Sequence, residues 1–101
     1  MYQIDPARTD LAQEFKRRPL GPHSAELQKV LNVMRWQATA GKYVLVCTQP
    51  YRQWCLAQLS GKRGAPVTLF EDVTFDDIGS GEWHIFRLRW QSLTGQELPF
   101  D

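Results

Sequence analysis

The sequence predicts an α+β domain: a three-stranded antiparallel β-meander packed with a C-terminal helix and preceded by two N-terminal helices. Three observations lead there. Leu27, Val30, Leu31 and Met34 repeat at the spacing of one helix face. Residues 43–70 hold three short β-rich runs divided by the turn-forming stretches "TQPYRQ" and "SGKRGAP". Trp83, Phe86, Trp90 and Leu93 then fall within about 80° of one another at about 100° per residue, a second helical stripe.

Composition sets the bounds. A chain of 101 residues has the length of one domain. The expected division is a helical N-terminal extension over 1–20 and a core over 22–95. The hydrophobic share is 43%, with four Trp, three Tyr and five Phe, enough for a packed core and too much for disorder. A net charge of +1 gives no global field toward nucleic acid or acidic lipid. No apolar run approaches the roughly 18 residues of a membrane helix. The opening "MYQIDPARTDLAQEF" lacks the basic-then-apolar order of a signal peptide. The expectation is a cytoplasmic protein with no membrane partner and two free thiols.

Taken in order, Asp5-Pro6 starts the first helix as N-cap and first helical residue. Leu11 and Phe15 give it a thin apolar stripe, Lys16 to Arg18 suit its C-terminal dipole, and Pro19 stops it. Such a helix must lean on something else. Ser24 caps the second helix, with Val33 and Trp36 widening its stripe and Gly41 just past its end. Residues 43–48 form a strand apolar on both faces, which calls for cover on both. Residues 54–59 form the return strand and 67–70 a short third one. "TFDD" at 74–77 has capping-box spacing, with Thr74 as the cap. Two glycines inside a helix would cost about 2 kcal/mol, so the reading places a turn at 74–79 and starts the last helix at Ser80. Its core stripe faces the sheet, and Ile85 and Leu88 point to the far side. Thr94-Gly95 ends it.

The chemistry-bearing residues make no evident site. A hairpin symmetric about Tyr51 sets Cys47 opposite Cys55, close enough for a disulfide only at favourable geometry; buried free thiols are the simpler reading. His23 and His84 show no paired ligand spacing. Glu71, Asp72, Asp76 and Asp77 read as a solvated acidic loop with a capping role. "SGKRG" lies between two strands and lacks the helix N-terminus of a phosphate loop.

Two resemblances follow. "QWCLAQL" followed by "VTLFEDVTFDDIGSGEWHIF" is similar in topology to the DNA-binding modules of the plant AP2 and phage-integrase N-terminal type, three strands and one packed helix. That resemblance implies a nucleic-acid partner met through Arg and Trp on the sheet. The runs here offer Val, Leu, Cys and Ala instead, so nucleic acid is the alternative partner. "HSAELQKVLNVMRWQATAGKYVLVCTQPYRQWCLAQL" resembles the small subunit of N,N-dimethylformamidase. The features that carry it are Leu27-Gln28-x-Val30 and Arg35, Gly41-Lys42-Tyr43, the aromatic-basic hairpin turn, Ala57-x-Leu59, Pro66-Val67 and Phe86-x-x-Arg89.

This second resemblance implies a non-catalytic accessory chain that packs on a larger subunit of an iron-dependent amidohydrolase. The metal ligands, tyrosines and a glutamate, would lie on that subunit, with no cofactor and no catalytic or metal residue in this chain. Self-association would hide the same surface. The expected partner-binding residues are Tyr51, Arg52 and Trp54 at the hairpin, and Ile85, Leu88 and Arg89 on the final helix.

Overall fold

A computed structural model describes residues 3–36, 41–50, 52–62, 64 and 66–100. Helix α1 spans Thr9–Arg17, α2 Ala25–Arg35 and α3 Ile78–Thr94. Strands β1 (Tyr43–Gln49), β2 (Gln53–Gln58) and β3 (Thr68–Phe75) form one antiparallel sheet in the order β1-β2-β3. The α+β class and the meander are as the sequence predicts. The side of α3 that meets the sheet is not. Helix α3 lies in the middle, with the sheet on one side and α1 and α2 on the other.

The reason is that α3 carries two apolar stripes. Phe86 and Trp90 join Leu11, Ala12 and Phe15 of α1 and Leu27, Val30, Leu31 and Met34 of α2 in one buried cluster. Trp83 and Leu93 pack against the same cluster. Gly81, Ile85, Leu88 and Arg89 project from the opposite side by their helical spacing. Gly81 abuts the Leu45 side chain, and the Arg89 guanidinium donates to the Tyr43 carbonyl at 2.9 Å. Ile85 is therefore not on an outward face, contrary to expectation. It is 2% exposed, held between α3 and the sheet.

Local chemistry also moves the start of α3. Asp77, not Thr74, is the N-cap: its carboxylate accepts from the Ser80 N–H at 2.8 Å and the Ser80 hydroxyl at 2.8 Å. These bonds hold the Asp77 carboxyl below its usual range, the backbone bond first and the hydroxyl second. Thr74 belongs to β3, which runs past Phe70 to Phe75. The helix thus tolerates Gly79 and Gly81 in its first turn. Gly81 leaves room for the Leu45 side chain, because a Cβ would lie 2.7 and 2.8 Å from its methyl carbons and would force them to move. Gly95 ends the helix in the left-handed region at φ 74°.

In α1, Arg8 rather than Asp5 occupies the cap position, and Asp5 caps a preceding turn by accepting from the Ala7 N–H at 2.9 Å. Ser24 caps α2 as predicted, its hydroxyl oxygen accepting from the Leu27 N–H at 3.2 Å. The Glu14 carboxylate accepts from both the Ser24 hydroxyl and the Ser24 N–H at 2.7 Å, tying α1 to the cap of α2. Those two bonds, the hydroxyl first, hold Glu14 below its usual range. Phe15 stacks on His23 and on Phe86, with ring centroids 5.4 and 4.4 Å apart. The C-terminal tail closes the cluster: Leu98 is buried and Phe100 stacks on Trp83 at 6.0 Å.

The hairpin register corrects the cysteine pairing. The Arg52 N–H donates to the Gln49 carbonyl at 3.0 Å, a four-residue turn with Pro50 in its second position. Gln49 pairs with Gln53, symmetric about Tyr51, but the register shifts by one residue between Cys47 and Gln49. Val46 faces Cys55, and Cys47 faces Trp54. A one-residue slip reverses faces, so Cys47 and Cys55 lie on opposite sides of the sheet. Both are free; Cys47 is exposed and Cys55 buried, so only Cys55 is a core thiol. Between Cys55 and Leu56 the register jumps from Thr74 to Phe70, leaving Glu71, Asp72 and Val73 in a bulge. The Cys55 thiol donates to the Phe70 carbonyl at 3.3 Å beside it.

His84 sits on the sheet side of α3, its ring 5.3 Å from that of Phe75, rather than on open surface. Burial, and then the Arg87 charge, lower its pKa.

Two outcomes are expected. Gly81→Val should lower unfolding free energy by about 2 kcal/mol or more, an overpacking cost. The loss should shrink in a Leu45→Ala background, measured by denaturant unfolding of the double-mutant cycle. For His84 the folded pKa lies below the unfolded one, so the unfolded state takes up the proton first. Its contribution is present above about pH 6.5 and lost as pH falls toward the folded pKa. The melting temperature should fall below about pH 6.5, and His84→Gln should remove that part of the fall.

Candidate interaction surface

The six expected contact residues do not form one patch. Tyr51 lies outside the described residues. Arg52 is exposed in the turn, and Trp54 is half-buried on the α3 side of the sheet between Cys47 and Phe75. Leu88 is half-buried and Arg89 is engaged with Tyr43. Tyr43 and Gln49 are the two ends of β1, roughly 20 Å apart at about 3.3 Å per residue. The hairpin turn and Arg89 therefore sit at opposite ends of the sheet.

Other residues are more available. Trp36 is 87% exposed at the C-terminal cap of α2, and Leu20 is 68% exposed in the connector between α1 and α2. Helical spacing put Trp36 in the widened stripe of α2, and the structure leaves it in solvent. The signal that could have found it is its place just past the last helical residue, beyond the turn that Met34 anchors. Leu69 and Val67 are also exposed. On the sheet face turned away from α3, Val44 and Val46 are half-buried, and the small Cys55 and Ala57 of the central strand are buried between their larger neighbours. Among the described residues, the paired positions of the three strands present Val, Leu, Cys, Ala and Thr on that face.

A cleft of about 90 Å³ opens where α1, α2 and α3 meet. Phe15, Met34 and Phe86 floor it; Arg35, Glu82 and Arg89 reach its rim. Burial lowers the pKa of Arg89, Glu82 opposes that shift and Arg35 adds to it.

Among the described residues no three His, Cys, Asp or Glu side chains converge as metal ligands. His23 packs on α1 and His84 on β3, on opposite sides of α3. Glu14 and Asp77 are engaged in caps. These side chains offer no joint fit to an iron ion. No helix among the described residues is long and apolar enough to cross a membrane.

Comparison with known proteins gives one result that spans nearly the whole chain. The sequence profile of the N,N-dimethylformamidase alpha subunit matches residues 4–98, from the turn before α1 to the tail that closes on Trp83. No individual characterised protein matched the sequence. The matched span takes in both helical layers and the sheet, and the chain therefore belongs to the N,N-dimethylformamidase alpha subunit family.

Proposed function

We propose that this chain is a non-catalytic subunit that packs on a larger protein in an amide-hydrolysing complex of the dimethylformamidase type. The observation that carries the proposal is the family match over residues 4–98. The distribution of side chains supports it. The carboxylates of Glu14 and Asp77 are spent on helix caps, and the two histidines are kept apart by α3. The large apolar groups left outside, Trp36 above all, suit a protein partner: tryptophan is enriched among residues that dominate interfaces. The iron and its ligands would belong to the larger protein, which would meet this chain in the reducing cytoplasm. Nucleic acid is the lesser reading, because the described paired positions on the sheet face away from α3 hold mainly apolar side chains.

The test is recovery of the tagged chain from its own cells. A larger protein should come with it, and metal analysis of that complex should find iron. Recovery of the chain alone, as a strict monomer, overturns the proposal. Within such a complex, Trp36→Ala should weaken association about tenfold, or about 1.4 kcal/mol, in a titration against the purified partner. The melting temperature of the free chain should stay unchanged, since Trp36 is exposed there. Binding to duplex DNA with a steep salt slope would favour the lesser reading.

A further inference from the structure

The two edges of the sheet are built differently. In β1 successive peptide groups alternate sides. The Lys42 carbonyl accepts from the Leu59 N–H at 2.9 Å, so the backbone groups of Lys42, Val44 and Val46 face β2. Those of Tyr43, Leu45 and Cys47 face outward along the edge. Arg89 takes the Tyr43 carbonyl at 2.9 Å. Among the described residues nothing pairs with the outward N–H and C=O groups of Leu45 and Cys47.

The β3 edge has the features that block strand addition. Glu71 and Asp72 are exposed on it, and the bulge from Glu71 to Val73 breaks its regularity. Over the first five residues of the β1 edge, the one such feature among the described residues is the Arg89 guanidinium on the Tyr43 carbonyl, at the end of the strand. "YVLVCTQ" carries no charge and no proline, and its register stays regular from Tyr43 to Cys47.

We infer that β1 is a self-pairing edge: it adds in antiparallel register to β1 of a second copy, centred on Leu45, and joins two sheets into one of six strands. A two-fold interface must be complementary to itself. In this register Leu45 opposes its own copy, Tyr43 opposes Cys47, and Val44 opposes Val46 on the face away from α3. No charge meets a like charge. The same operation on β3 would bring the acidic bulges of two copies together, a destabilising arrangement. The valine pairs extend the apolar strip that Val44, Val46, Cys55 and Ala57 already form. The inference goes beyond the accessory-subunit reading, because it concerns the β1 edge and needs no larger partner.

A seven-residue edge buries little surface, so the dimer belongs to the weak, concentration-dependent class. Sedimentation of the full chain up to roughly 1 mM, where small interfaces associate, should show a rise from the mass of one copy to that of two. Over the same range the amides of Leu45 and Cys47 should exchange with solvent about tenfold or more slowly, since pairing removes them from water. Val44→Lys should abolish the dimer and Glu71→Lys should leave it intact. Three results overturn the inference. One is a monomer throughout that range. Another is a dimer whose Leu45 and Cys47 amides exchange as fast as in the monomer. The third is a dimer that survives Val44→Lys. The exchange measurement uses the unaltered chain, so it decides the matter even if the lysine variant fails to fold.

Discussion

The approach of α3 to β1 at Gly81 is the constraint on which the rest of the structure depends. A Cβ there would fall well inside contact distance of the Leu45 methyls, so glycine lets the helix lie this low on the strand without displacing that side chain. With α3 seated, Ile85 is buried against the sheet and Arg89 reaches the Tyr43 carbonyl. The opposite stripe is then presented to α1 and α2. Phe and Trp side chains bury roughly 150–250 Å² each, worth about 4–6 kcal/mol gross at about 25 cal/mol/Å². Phe86 and Trp90 are both buried on that second stripe. One helix thus serves as the core of two interfaces, and shifting it would loosen both.

The N-terminal helices depend on that middle layer in turn. Helix α1 has nine residues, too few for stability on its own in water. It is held by Phe15, which stacks between His23 and Phe86, and by Glu14, which binds the cap of α2 from outside. The His23 ring nitrogen also lies 2.8 Å from the Arg18 carbonyl, just past the end of α1. Lys16 sits 5.8 Å from the Trp83 ring and 5.8 Å from that of Phe100, which extends the stack to the surface. Ring pairs of this kind add about 0.5–1.5 kcal/mol beyond their area. The connector between α1 and α2 is consequently fixed at both ends, although Leu20 within it stays in solvent.

Much of this was legible in the sequence, and the misreadings share a cause. The α2 stripe of Leu27, Val30, Leu31 and Met34 is buried throughout, and Ser24 caps it, because a cap residue and a helical period are local signals. The three strands and the meander follow from turn chemistry in the same way. What failed was anything that depends on which elements meet. Both stripes of α3 were visible, but periodicity does not say which stripe meets the sheet. The glycines at 79 and 81 read as breakers because their value lies in a contact with Leu45, far away in sequence. The pairing of Cys47 with Cys55 failed by one residue, since the register shifts between Cys47 and Gln49. The functional residues suffered similarly: Ile85 was read as outward and is buried, while Trp36 was read as part of a stripe and is exposed.

These placements bear on how such a chain can serve a larger assembly. A helix packed on two sides has little surface left for docking, so under the proposed role the peripheral groups are the candidates: the end of α2, the connector at Leu20, the turn at Arg52, and the rim of the sheet. An apolar group left in solvent on a small domain contributes nothing to folding that its own burial would not have done better. Trp36 follows Arg35, whose carbonyl accepts from the Lys42 ammonium at 3.1 Å across to the start of β1. The backbone beside the exposed indole is thereby anchored to the sheet, and a rigid aromatic on an anchored backbone loses little conformational freedom when a partner covers it. That low ordering cost, more than the area of any one residue, makes the α2 terminus a better interface candidate than the hairpin tip. Among the described residues there, an arginine is exposed and a tryptophan is already half-committed to the sheet.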